Sequence, residues 1–202
     1  MAFLISSSLA FLGLLVISQA ADPTCEDLTK PVELEDERSI IGKWVFQEGI
    51  TNSPRLGNVF KTMNSSWMEF TPSSLTDTLV LSQGSLIHGG CQLTSKNVTF
   101  QNSTIHVSVH NITTVINLLP SCAHCLTLSF CREMADETLR SIYFLTKEPK
   151  APETAVELYR KQAACLGLKE EPQFSYDGVT ELCGKTDTCE SQTKPEPEKN
   201  AT

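Results

Sequence analysis

From Lys43 onward the chain alternates apolar and polar residues in short runs separated by turn-forming residues. A period of two over such runs marks half-buried strands rather than helices. Eight runs meet the pattern: Lys43–Ile50, Trp67–Thr71 (stopped by Pro72), Asp77–Gln83, Cys91–Phe100, Ser103–His110, Ile112–Leu118, Cys125–Glu133 and Leu139–Thr146. Before them, residues 21–40 form an acidic lead-in where Pro23 and Pro31 oppose regular structure. After Pro149 the period changes. APETAVELYRKQAACLGL reads as one helix, with Pro152 and Glu153 in its first turn and Gly167 to close it. Val156, Tyr159, Ala163 and Leu166 share one stripe, which should pack on the sheet.

Eight strands followed by one helix predict an all-β architecture with a C-terminal helix, best satisfied by an eight-stranded antiparallel up-and-down barrel. Closure removes edge strands, and eight strands can leave room for one small ligand. A two-sheet sandwich has the same period and is not separated from the barrel at this level. Alternation selects Phe46, Met68, Phe70, Leu81, Gln83, Ile105, Val107, Leu126, Leu128, Ile142 and Phe144 as the inward, ligand-binding face. Such a pocket is mostly apolar with few polar handles; a core filled by side chains is the other outcome for a barrel of this size.

The N-terminus places this architecture outside the cell. Residues 1–20 carry an apolar run from Leu9 to Ile17, then Ser18-Gln19-Ala20, the pattern of a secretory signal peptide cut after Ala20. Asn64, Asn97, Asn102, Asn111 and Asn200 each begin an N-x-S/T sequon, as expected of a glycosylated secreted chain. Residues 21–189 would then form one domain, and 190–202, polar and proline-bearing, a disordered tail. No later apolar run could span a bilayer. The net charge of −8 excludes nucleic acid as a partner class, because neutralising phosphates needs clustered Lys and Arg. It would suit cationic small ligands. A monomer without cofactor or metal is expected.

Gly42-Lys43-Trp44 at the first strand resembles the lipocalin G-x-W signature. SIIGKWVF, EFTPSSLTDTLVL, NSTI and the helix ending in AACLGL are similar in form and order to the α1-acid glycoprotein branch of that family. Apolipoprotein M and the fish saxitoxin- and tetrodotoxin-binding proteins share the layout, and the short loops lean toward the fish group. The resemblance runs from Cys25 to Cys183. It implies that Trp44 plugs the closed end of the barrel, beside Gly42, with Lys147 packed across it. It also implies disulfides Cys25–Cys165 and Cys91–Cys183. The family's T-D-x-x motif is absent. Where the mammalian glycoproteins place an arginine, a glutamate and a tyrosine, this chain aligns Val107, Gln83 and Phe144, which implies neutral lipophilic ligands.

Four further cysteines exceed the family pattern. Cys122, Cys125, Cys131 and His124 superficially offer four zinc ligands. However, Leu126, Leu128 and Phe130 alternate with polar neighbours as in a strand, which turns His124 away from Cys125. A redox C-x-x-C would want a helix N-terminus, and none is predicted there. Two more disulfides, Cys122–Cys125 and Cys131–Cys189, are the expected arrangement in an oxidising compartment.

The expected function is that of a secreted glycoprotein carrying a small lipophilic molecule (lipid, steroid, retinoid or alkaloid toxin) in its barrel. The alternative is an interaction protein, lipoprotein-associated or immunomodulatory, acting through its surface and glycans. Lipoprotein particles and toxins enter as partners through the resemblance, although the inner face shows no carboxylate for a guanidinium toxin. Enzymatic activity is not expected, since no cysteine falls on the inward face.

Overall fold

The computed structural model describes residues 22–34, 37–101, 104–109, 112–133 and 138–184. The segments expected to be a signal peptide (1–20) and a tail (190–202), and Cys189, Asn102, Asn111 and Asn200, lie outside them. A short helix α1 (Cys25–Thr29) and a 3-10 turn (Glu37–Ile40) precede the barrel. Then follow β1 (Gly42–Thr51), helix α2 (Pro54–Thr62), β2 (Met63–Pro72), β3 (Thr78–Ile87), β4 (Gly90–Gln101), β5 (Thr104–Val109), β6 (Ile112–Leu119), β7 (Cys125–Glu133) and β8 (Thr138–Thr146). Helix α3 (Glu153–Cys165) and a short β9 (Phe174–Ser175) close the order.

From β1 to β8 each strand pairs antiparallel with the next in sequence, and β1 also pairs with β8. The eight strands therefore form one closed ring, which removes the sandwich alternative. Local chemistry sets the turns. His88 and Gly89 both have positive φ (51° and 77°), as a two-residue hairpin turn requires, and they join the facing pair Ile87 and Gly90. The ring is not uniformly zipped. Between β4 and β5 the ladder comprises Thr99–His106, Phe100–Ile105 and Gln101–Thr104, at the closed end, and stops there.

Strand β1 divides its loyalties. Gly42 to Val45 pair with β2, whereas Glu48 and Gly49 pair with β9. A bulge between Phe46 and Glu48 changes the phase, so Phe46 points into the barrel and Glu48 out of it. Helix α2 fills the space left between the upper parts of β1 and β2. Ser53 caps it by accepting from the Leu56 N–H, Pro54 occupies its first turn, and Phe60 buries against Phe46 with ring centroids 5.7 Å apart.

Two readings of the sequence need correction. The lead-in is not devoid of regular structure. Thr24 and Asp27 form a reciprocal capping box on α1, and Pro23 and Pro31 lie outside the helix at either end. Second, Ile142 and Phe144 do not face the barrel interior. They belong to an outer core with Ile50, Tyr159 and Ala163, beneath α3. Phe144 stacks on Tyr159 at 5.4 Å, and the Tyr159 hydroxyl donates to the Ile142 carbonyl at 3.0 Å. Arg160 of α3 adds a two-pronged contact to the buried carboxylate of Glu48, with its shorter arm at 2.6 Å.

Three disulfides staple this frame. Cys25–Cys165 joins α1 to the end of α3, Cys91–Cys183 joins β4 to the C-terminal segment, and Cys122–Cys125 closes the turn into β7. The first two span 140 and 92 residues. On the chain-entropy account each stabilises the fold by about 4.5–5 kcal/mol, comparable to a domain's whole net stability. The third spans only three residues, so its effect is local; it also consumes two of the thiols that a zinc site would need. Cys131 is exposed and makes no disulfide among the described residues.

Candidate ligand cavity

The closed end of the barrel is built around Trp44. Its indole N–H donates to the Ile40 carbonyl at 2.7 Å, which fixes the ring across the barrel floor. The Lys147 ammonium sits 3.7 Å from that ring's centroid and donates to the Ile41 carbonyl at 3.0 Å. Desolvation there lowers the Lys147 pKa. Gly42 is required by its backbone, with φ at +106°, and a Cβ there would also press on the Lys147 ammonium at 2.9 Å and push it from its place over the ring. Glycine, tryptophan and lysine thus make one cation–π plug.

Above this floor the interior divides. On one side Phe46, Phe60, Tyr143 and Phe174 pack with ring centroids 4.9–5.7 Å apart and fill the barrel. On the other side lies a cavity of about 600 Å³, within the range of about 300–1,000 Å³ usual for small-molecule sites. Its walls include Met68, Phe70, Leu81, Gln83, Val107 and Leu128 from the inward face. Phe46, Ile105 and Leu126 are buried in the same core without lining the cavity. Ile142 and Phe144 are on the far side of the wall.

Further lining residues escaped the sequence reading: Ile116 and Phe130 extend the apolar wall, and Thr114, Tyr143, Arg55, Lys96 and Arg132 add polarity. Strand phase could have found several of them. Phe130 and Arg132 continue the inward series of Leu126 and Leu128. Lys96 precedes a sequon asparagine, Asn97, which is exposed. If Asn97 faces out, Lys96 faces in. Tyr143 was missed because SIYFLT is apolar at consecutive positions. Its phenol is pushed well above the ordinary range by burial, and its hydroxyl has no hydrogen-bond partner among the described residues. Gln83 reaches Ser85 only at 3.5 Å, which leaves its amide available to a ligand.

A second hollow, between α2 and the segment after α3, is lined by residues such as Asn52, Ser53, Lys61 and Lys169. It lies outside the ring and is smaller than the barrel cavity, so the barrel cavity is the candidate site. Cys131 follows the outward phase of β7, and its thiol does not line the cavity. Asn64 and Asn97 are both exposed.

A ring of eight antiparallel strands, plugged at one end by tryptophan and lysine, hollow above and flanked by a C-terminal helix, is the lipocalin fold. Solved lipocalins superpose on it. The siderocalin Ex-FABP does so with a TM-score of 0.58 at 14% identity, covering 68% of this chain and 94% of its own. The bovine lipocalin allergen Bos d 2 gives 0.52 at 14% identity, with the same coverage of 68% and 94%.

Sequence comparison finds distant relatives. Saxitoxin and tetrodotoxin-binding protein 1 of Takifugu pardalis is 26% identical over 208 residues, which cover 93% of this chain. α1-Acid glycoprotein 1 of Mus musculus is 24% identical over 199 residues, covering 94% of this chain and 95% of the relative. The chain spans about half (52%) of the toxin-binding protein's length. No family model matches the sequence. No described helix is long and apolar enough to cross a membrane.

Proposed function

We propose that this chain is a secreted carrier that holds one small lipophilic molecule in the barrel cavity. The observation that carries the reading is the cavity itself, about 600 Å³ with a wall of Met68, Phe70, Leu81, Val107, Ile116 and Leu128 above a sealed floor. The two sequence relatives support it, one being named for the toxins it binds. The three disulfides suit an oxidising, extracellular setting. Among its described residues the wall includes neither a thiol nor a histidine.

Native mass spectrometry of the secreted protein, deglycosylated and non-reduced, tests the reading. A discrete extra mass that leaves on denaturation is expected. A clean apo mass, unchanged after incubation with fatty acids, retinoids, steroids and alkaloids, would refute the carrier. The chain would then act through its surface, on lipoprotein particles or through its glycans.

A further inference from the structure

Three cationic side chains line the cavity. Arg55 comes from the first turn of α2, Lys96 from the inward phase of β4, and Arg132 from the inward phase of β7. Elements far apart in sequence thus contribute like charges to one lining, in a protein whose net charge is −8. The described lining residues include no aspartate or glutamate. None of the three cations has a hydrogen bond or ion pair among the described residues. By contrast, the exposed Arg160 on the outer side is committed to Glu48. Arg55 and Lys96 reach solvent and Arg132 is half-buried, so the charges sit on the wet side of the lining. Like charges in one lining repel each other, and an anion placed among them would be attracted by all three.

The rest of the lining says what such an anion would be attached to. Apolar walls of Met68, Phe70, Leu81 and Leu128 bury alkyl or ring surface, but they bring no anion of their own. Tyr143 adds a hydroxyl without a protein partner, able to donate to an oxyanion. We propose that the cavity takes an amphiphile with an anionic headgroup, its carboxylate or phosphate held by Arg55, Lys96 and Arg132 and its apolar portion along the barrel wall. The inference rests on the carrier reading and specifies its cargo. It reverses the sequence-based expectation of neutral ligands, and it also disfavours guanidinium cations, which would face three like charges. Overall negative charge does not oppose it at close range, since charges beyond about 8 Å are screened at physiological salt.

The test uses the full secreted protein, delipidated and non-reduced, with four ligands of matched chain below their micellar concentrations: oleate, oleoyl lysophosphatidate, oleyl alcohol and oleylamine. Affinities are read by displacement of a fluorescent apolar probe at pH 8. Oleate or lysophosphatidate should bind at least about tenfold tighter than oleyl alcohol, the effect of one well-placed charge contact. Oleylamine should be weakest. Whichever anion is tighter identifies a carboxylate or a phosphate headgroup. In the double variant Lys96→Gln/Arg132→Gln the anion-to-alcohol ratio should fall to within about twofold, whereas Lys161→Gln, an exposed cation on α3, should keep it. Raising salt should shrink the ratio in the parent protein. Equal binding of oleate and oleyl alcohol, or preference for oleylamine, overturns the anionic cargo and leaves the carrier standing. Failure of all four ligands to displace a bound probe likewise overturns the anionic cargo, whereas failure of the probe itself to bind overturns both.

Discussion

The phase of β8 can be tested by removing one side chain. Phe144 is fully buried, but on the outer side of the barrel wall, where it stacks on Tyr159. Replacing it with alanine empties space between the wall and α3. Phe→Ala substitutions in cores cost about 3–5 kcal/mol, and the upper part of that range fits a site where an aromatic pair is also lost. At about 2–4 °C per kcal/mol for a chain of this size, the melting temperature should fall by about 6–20 °C. Urea denaturation under non-reducing conditions should give the same loss in free energy. Because Phe144 never reaches the cavity, affinity for a cavity probe, measured below the new melting temperature, should change less than about threefold. Tyr143→Ala, one residue earlier, should alter that affinity because its ring forms part of the lining. The assignment of the two faces is refuted if Phe144→Ala weakens the probe strongly while the fold keeps its stability.

Other consequences are equally direct. Lys147→Met removes both the cation over Trp44 and the donor to Ile41, and should cost about 1–2 kcal/mol in urea denaturation, with a change in the near-ultraviolet signal of the tryptophans. Gly84→Ala would set a Cβ 2.5 Å from the Trp67 Nε1, whose N–H donates to the Cys183 carbonyl at 2.7 Å. Displacing that ring should cost about 2–4 kcal/mol and red-shift tryptophan emission; an unchanged urea midpoint would contradict the packing. Burial raises the phenols of Tyr143 and Tyr159 above the value they have in the unfolded chain. Their contribution to stability is therefore complete below pH 10 and lost as pH rises above it, where the unfolded chain releases protons that the folded one retains. Absorbance at 295 nm should show these two ionising only together with loss of the circular-dichroism signal. Reversible ionisation of all three tyrosines near pH 10 with the fold intact would argue against their burial.

The barrel was readable because most strands have one wet face, so that alternation reveals both their existence and their phase. β8 defeats the method: Ile142, Tyr143, Phe144 and Leu145 are consecutive apolar residues because α3 covers one face and the barrel interior the other. A strand buried on both sides carries no alternation to read. Helix α2 was signalled by Ser53-Pro54, a cap followed by a first-turn proline, but at nine residues it is too short for its apolar stripe to stand out between two strands. The cations of the cavity were hidden for a different reason. Arg55, Lys96 and Arg132 are types that normally point to water, and only the three-dimensional ring shows that the water they reach is inside it. Gln162 is similar: a polar residue beside the predicted stripe, it is fully buried and donates to the carbonyls of Leu28 and Pro120, tying α3 to the N-terminal helix and the turn before β7.

The short ladder between β4 and β5 gives the barrel a mechanical property that a fully zipped cylinder lacks. Above Thr99 the β3–β4 hairpin is attached to the rest of the wall along β2 alone. Swinging it outward breaks no β4–β5 hydrogen bonds, so the bore can widen while the ring at the plugged end keeps its circumference. The disulfide from Cys91, near the hairpin's tip, to Cys183 works as a tether and limits the travel. Lys96 lies on this hairpin, whereas Arg132 lies on β7, which is paired to both of its neighbours. A change in bore therefore changes the spacing of the charges as well, which couples the girth of a cargo to the grip on its headgroup.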